Sequence, residues 1–247
     1  MKANKLQSSL IVVKSLAITL WISIEVIVKA WTGSETRQKC DRRLRWWSKR
    51  LLQYLKLSYS VHNPHQVQLA AGKPYIIMSN HSSLYDIPLI LATMPGSIRM
   101  LTKKELFDVP IWGRGMREAE FISVDRDNRR QALRDLQAAQ AKMANGIILW
   151  VAPEGTRSRT GELGPFKKGG FMLAIKTGAT IVPVGIRGAH EVLPPKTLNF
   201  ELGRHAEVHI GRPIDASKYN SKSRDRLMKE IEEQIRDLAG LAPPQAA

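Results

Sequence analysis

Tyr75-Ile76-Ile77-Met78-Ser79-Asn80-His81-Ser82-Ser83-Leu84-Tyr85-Asp86-Ile87-Pro88-Leu89-Ile90 is the stretch on which the fold turns. Its four opening apolar residues are too few for a helix and read as a buried strand. A polar run follows, and from Leu84 to Met94 the pattern is helical. Strand, loop and helix in that order define one unit of an α/β sheet, with the loop at the carboxyl end of the strand, where such sheets bind ligands. His81 and Asp86 are five residues apart. In a continuous helix they would splay by about 140°. They meet only if His81 lies on the loop and Asp86 in the first helical turn, with Ser82 or Ser83 as the N-cap. An imidazole held by a carboxylate is a general base in the right tautomer. A histidine that merely caps the helix is the competing reading.

The same alternation continues on both sides. Ile98–Leu101, Phe121–Val124, Ile147–Val151, Ile181–Val184 and Glu207–Ile210 read as strands. Ala132, Leu136, Ala139 and Met143 form one helical face closed by Asn145-Gly146. Leu227, Ile231, Ile235 and Leu238 mark a last amphipathic helix. The expected fold is therefore α/β, a mixed, largely parallel sheet flanked by helices.

Pro153-Glu154-Gly155-Thr156-Arg157-Ser158-Arg159 is the second chemical constellation, on the loop after the strand Ile147–Val151. Its arginines suit phosphate oxygens, and Phe166-Lys167-Lys168-Gly169-Gly170 opens another helix nearby. A solvated basic loop is the plainer alternative. A nucleotide-binding P-loop is excluded, because the one Gly-Lys pair, Gly72-Lys73, runs into Pro74. No G-x-S-x-G elbow occurs, so a hydrolase serine is not indicated.

The N-terminal quarter differs. Leu10–Trp31 is the longest apolar stretch, interrupted by Lys14, Glu25 and Lys29. These three charges fall on one narrow stripe of a helix. Such a helix suits insertion into one leaflet, its charges facing a partner helix or the surface. Thr36–Leu57, with Leu44, Trp47, Leu51 and Tyr54/Leu55 at helical spacing and Trp46-Trp47 among Arg42, Arg43, Arg45, Lys49 and Arg50, is the expected partner. The chain thus divides into a membrane-associated two-helix module over 1–58, an α/β domain over 59–241 and a tail over 242–247. A single spanning helix is the alternative to the monotopic one.

The whole chain of 247 residues carries 38 Lys+Arg against 22 Asp+Glu, a net charge of +16. More than half of the excess, +9, lies in residues 1–58. An anionic partner is implied: nucleic acid, acidic lipid or a phosphorylated small molecule. Nucleic acid is disfavoured, because no binding signature is present and aromatic residues are only 6%. The lone Cys40 rules out an intrachain disulfide; its basic surroundings suggest a somewhat acidic thiol. His62, His65, His205 and His209 have loose metal-like spacing, but without Cys or acidic ligands at matching positions they read as solvated or structural, and no metal is expected.

Together these motifs resemble the glycerophospholipid acyltransferase family. Asn80, His81 and Asp86 match its N-H-x4-D block. Ala152 through Ser158 match F-P-E-G-T-R-S with Ala152 for the aromatic, and Ile181-Val182-Pro183-Val184 match its last block. The G-x-x-F-I-x-R block is altered: Phe121 and Arg126 are separated by two extra residues, and Val124-Asp125-Arg126 resembles its end. The resemblance covers about residues 60–212. It implies acyl transfer from acyl-CoA or acyl carrier protein to the sn-2 hydroxyl of 1-acylglycerol-3-phosphate, giving phosphatidic acid, with no cofactor beyond the co-substrate. It implies His81 as base and Asp86 as its orienter. Arg126, Glu154, Gly155, Thr156 and Arg157 would hold the glycerol phosphate, with Lys103 beside them. The partners implied are membrane phospholipids, lysophosphatidic acid and the thioester donor, at the cytoplasmic face of a membrane. A sister activity on glycerol 3-phosphate or another lysophospholipid, and a catalytically silent relative, are the alternatives within the family.

Overall fold

In the computed structural model, which describes residues 1–70, 72–125 and 128–241, the chain begins with a 27-residue helix, α1 (Lys5–Trp31). Asn4 starts it through a capping box: its side chain accepts the Gln7 N–H, and the Gln7 side chain accepts the Asn4 N–H. At 1.5 Å per residue it is about 40 Å long. Thr36 caps the next helix, α2 (Arg37–Tyr54), by accepting the Lys39 N–H. The expected polar stripe of α1 does face α2. Glu25 accepts from Arg43 at 2.8 Å, and Lys14 lies 6.0 Å from the centre of the Tyr54 ring. Arg43 also binds Glu35, and the Trp47 indole donates to Thr19.

Among the described residues eight strands and six further helices follow: β1 (Ser58–His62), β2 (Tyr75–Ser79), α3 (Asp86–Thr93), β3 (Ile98–Lys103), α4 (Trp112–Glu118), β4 (Ile122–Val124), α5 (Arg129–Ala144), β5 (Ile148–Val151), α6 (Lys168–Thr177), β6 (Thr180–Arg187), α7 (Ala189–Val192), β7 (His205–Ile210), β8 (Ile214–Asp215) and α8 (Arg224–Leu238). They build one sheet of order β1-β7-β6-β2-β5-β3-β4, with β8 also on β6. Of the pairings between these strands, β6–β7 and β6–β8 are antiparallel and the others parallel. The sheet is thus mixed and largely parallel, with helices on both faces.

Strand β2 is buried along its whole length, as a central parallel strand should be. Its alternating side chains serve two cores. Tyr75 and Ile77 join α1, α2 and α3 on one face, with Ile11, Ile18, Leu51, Leu52, Leu55 and Leu89. Ile76 and Met78 join α5, α6 and α8 on the other, with Ala139, Met143, Phe171, Leu227, Ile231 and Ile235. The side chain of Ala132, expected on that face, lies outside the described residues, as does the tail over 242–247.

Several boundaries differ from the sequence reading for physical reasons. Helix α3 starts at Asp86, not Leu84, because Pro88 has no N–H to donate and is tolerated only in the first turn. Neither Ser82 nor Ser83 is its N-cap; Tyr85 holds that position without a side-chain bond. Strand β6 runs from Thr180 to Arg187, past both ends of the expected Ile181–Val184. Its Pro183 falls between the residues paired with β8 and those paired with β7, where a missing donor costs no ladder bond. Strand β1 is absent from the sequence reading, since its Ser-Tyr-Ser-Val-His sequence has only two large apolar residues. It takes shape by pairing with β7 in parallel, Ser58 opposite His205 through His62 opposite His209.

A buried ion pair ties α2 to the sheet. Arg99 on β3 is 1% exposed and donates to Asp41 at 2.7 Å and to the Ala119 carbonyl. Asp41 also accepts from the Ser97 hydroxyl. Cys40 beside it is buried, and desolvation pushes its thiol up to about 11. The basic neighbourhood read from the sequence does not make it acidic: burial outweighs the nearby charges.

Candidate active site

His81 stands on the loop that leaves β2, and Asp86 is the first residue of α3. Their side chains meet, His81 Nδ1 to Asp86 Oδ2, at 2.7 Å. Asp86 is fully buried. The same oxygen accepts the backbone N–H groups of Ser82 at 2.7 Å and Ser83 at 2.9 Å. Three donors thus converge on one oxygen, with the loop wrapped about it. Asp86 Oδ1 is buried and has no partner among the described residues. With Nδ1–H donating to Asp86, the Nε2 lone pair of His81 is left free to accept a proton.

The imidazole is held from its other sides too. Trp150 of β5, itself buried, meets it edge-on with ring centres 5.6 Å apart. The Trp150 indole donates to Ser79, whose hydroxyl donates to the Asn80 carbonyl. The Asn80 amide donates to the Ile186 carbonyl at 2.9 Å and accepts the Ile186 N–H at 2.8 Å, fastening the end of β2 to β6. Ser83 reaches the Leu193 carbonyl.

The second constellation lies directly against the first. Glu154 accepts the His81 N–H at 2.9 Å and the Gly164 N–H at 2.9 Å, one with each carboxylate oxygen. The His81 carbonyl accepts the Ser158 N–H at 2.7 Å. Burial holds the Glu154 carboxyl above the usual glutamate range, against the pull of those backbone donors. The family resemblance puts Glu154 among the glycerol-phosphate ligands. Each of its oxygens accepts one loop N–H, which fastens this turn to the His81 loop. Gly155 allows the turn: its φ of +74° is strained for any residue with a Cβ.

Thr156 is exposed and Arg157 half-buried on this loop, and among the described residues the Arg157 guanidinium enters no ion pair. It is available to an anion. Lys103 ends β3, two strands from β2, exposed and bonded to Glu105 at 3.2 Å. Arg126 lies outside the described residues. The preceding Asp125 is buried and binds Lys104 at 2.7 Å.

Sequence reasoning missed Trp150, Ser79 and Gly164. Trp150 showed only as an apolar residue of a strong strand. Only the register singles it out, setting it opposite Ile77 on the sheet face that Ser79 shares.

This geometry has counterparts. Residues 58–187 match the family model described as Acyltransferase. A chloroplastic 1-acyl-sn-glycerol-3-phosphate acyltransferase of Brassica napus is 32% identical over 149 residues, 60% of this chain and 43% of that protein. The 1-acyl-sn-glycerol-3-phosphate acyltransferase of Saccharomyces cerevisiae is 34% identical over 170 residues, 68% of this chain and 56% of its own. The chain thus spans about half the length of the curated relatives it matches. Among solved structures, the 1-acyl-sn-glycerophosphate (LPA) acyltransferase PlsC of Thermotoga maritima superimposes with a TM-score of 0.70 at 26% identity, covering 96% of this chain and all of that one. With the family match over more than half of its residues, and His81, Asp86 and the Glu154–Ser158 loop assembled at the carboxyl edge of its sheet, the chain belongs to the acyltransferase family.

Proposed function

We propose that this protein transfers a fatty acyl group from a thioester to the sn-2 hydroxyl of 1-acylglycerol-3-phosphate. The observation that carries the reading is the His81–Asp86 contact of 2.7 Å, in which the carboxylate also collects two backbone donors. The names of the relatives, with the half-buried Arg157 one loop away, support lysophosphatidic acid as the acceptor. His81 Nε2 takes the hydroxyl proton as the oxygen attacks the thioester carbonyl. The C–O bond forms and a tetrahedral oxyanion results. As the C–S bond breaks, the imidazolium returns the proton to the departing thiolate. Asp86 stabilises the imidazolium between these steps, and Arg157, with Thr156 and Arg126, holds the acceptor phosphate. General-base help of this kind is worth about 10²–10⁴-fold. The thioester is a co-substrate, and the reaction as written uses no cofactor.

The same proposal places the protein on a membrane. Ile11, Ile18, Ile22 and Val26 of α1 are buried against the body, while Leu6, Leu10, Val13, Leu16, Leu20, Ile24, Val28 and Trp31 are exposed. A helix glued along one side cannot cross a bilayer without dragging the body in with it. Its outer face suits one leaflet instead. A cavity of about 500 Å³ between α1 and α2 presents Lys29, Lys39 and Arg42 with Trp21 and Trp46, a combination suited to the headgroup region of an anionic cytoplasmic leaflet.

The test is thiol release from acyl-CoA and from acyl carrier protein thioesters, each against a panel of lysolipids and glycerol 3-phosphate. Release that depends on lysophosphatidic acid and is abolished in His81→Ala is expected, and the two thioesters together identify the donor. Release by a folded His81→Ala variant at near wild-type rate would overturn the base assignment. Preference for glycerol 3-phosphate would replace the acceptor.

A further inference from the structure

The edge of the sheet opposite β4 carries a polar face unrelated to the catalytic loop. Strand β1 is the edge strand, and β7 and β6 separate it from β2. In the β1–β7 register Ser58 stands opposite His205, Ser60 opposite Glu207 and His62 opposite His209. All six side chains therefore project to one side. The alternate residues of β7, Ala206, Val208 and Ile210, are buried in the core on the other side. The sequence spacing of the histidines showed no acidic residue at a ligand position. The register supplies one, because Glu207 precedes His209 by two residues on the same strand face.

We propose that His62, Glu207 and His209 bind a divalent transition metal ion of the zinc class, clipping the edge strand β1 to β7. One ligand atom from each of the three residues lies within 4.8 Å of the others. In a tetrahedral zinc site with bonds of about 2.1 Å, ligand atoms are about 3.4 Å apart. Seating an ion there requires the side chains to turn so that one nitrogen of each ring and a Glu207 oxygen face a common point. The rings of His62 and His209 already stack with centres 4.4 Å apart, and His209 Nε2 is 2.7 Å from the Glu207 carboxylate. His62 Nε2 is 3.1 Å from the Ser60 hydroxyl, which also touches His205 at 3.1 Å. Arg187, opposite Glu207 in the β6–β7 register, donates to the Leu238 and Asp237 carbonyls, and its hydrogen bonds leave the carboxylate to His209. Two imidazoles and one carboxylate select zinc, nickel, cobalt or copper over magnesium and calcium, which prefer oxygen ligands. The ligands come from two strands, so binding favours the paired state and should stabilise the fold.

The experiment uses the full chain without an affinity tag, stripped of metal, and zinc chloride as the probe. Competition against a chromophoric chelator should give one zinc per chain with a Kd at or below about 1 µM. The thermal midpoint should rise by a few degrees with zinc and stay put with magnesium chloride. His62→Ala and His209→Ala should each weaken binding by about tenfold or more, with unchanged metal-free thermal midpoints. A Kd above about 100 µM, or equally tight binding by the His62→Ala/His209→Ala double variant, would overturn the proposal. This outcome is independent of the acyl-transfer reading, since it is scored by binding and not by turnover.

Discussion

Under the proposed function, Asp86→Asn isolates the charge of the His81–Asp86 pair. Ser82 N–H, Ser83 N–H and His81 Nδ1 all converge on Oδ2 of Asp86. An asparagine keeps the two backbone bonds only by putting its carbonyl oxygen there. That orientation also keeps His81 Nδ1–H as the donor, so the tautomer survives and Nε2 stays free. What is lost is the negative charge that stabilises the imidazolium. With charge centres about 4 Å apart and an effective dielectric near 20, that loss is about 4 kcal/mol in the transition state. It corresponds to a fall in kcat of about 10³-fold. The new NH₂ group must occupy the place of Oδ1, which is buried without a partner among the described residues, at about 1–3 kcal/mol in folding stability. The assay is continuous thiol detection at saturating lysophosphatidic acid and acyl donor, with a thermal melt of each protein. A kcat within about tenfold of wild type in a folded variant would refute the reasoning, because general-base catalysis alone spans about 10²–10⁴-fold. So would a change confined to KM.

Three other outcomes follow from the structure. Arg157→Ala should raise KM for lysophosphatidic acid by about 10- to 100-fold, the worth of a charge-assisted phosphate bond, and leave KM for the thioester unchanged; steady-state kinetics in both substrates checks it. Asp41→Ala strands the buried Arg99 guanidinium and should cost about 3–5 kcal/mol in chemical denaturation. Glu120 is held below the usual glutamate range by its hydrogen bond to Arg37, so its contribution is complete above the unfolded value of about 4.3 and disappears as pH falls through the lower folded value. The stability gap between wild type and Glu120→Gln should therefore be constant from neutral pH down to about 5 and close below it, which urea melts across that range measure.

The sheet was legible because its strands are runs of Ile, Val, Leu and Met bounded by Gly, Pro and Asn, and local pattern suffices for such strands. Strand β1 was not legible: Ser58-Tyr59-Ser60-Val61-His62 is shaped by its partner β7, more than 140 residues away in the chain. The His81–Asp86 pair could be derived from spacing once the strand–loop–helix context was recognised. The role of Glu154 could not. A carboxylate beside two arginines in sequence reads as part of a charged loop, and only the fold turns it inward onto the His81 and Gly164 amides. The polar stripe of α1 was readable to the point of predicting a partner. That Arg43 would answer Glu25 required knowing the rotation of α2.

Two hydrogen bonds, from the His81 N–H to the Glu154 carboxylate and from the Ser158 N–H to the His81 carbonyl, join His81 and the arginine-bearing turn into a single calliper. Under the proposed function one jaw grips a phosphate and the other meets a hydroxyl. The opening between them is set where the His81 backbone is tied to the turn, once by main chain and once by the buried Glu154 side chain. Acceptors would then be sorted by the number of bonds separating phosphate from hydroxyl, before any feature of their acyl chain is consulted. Lengthening that span by one carbon would defeat the enzyme more thoroughly than exchanging one fatty tail for another.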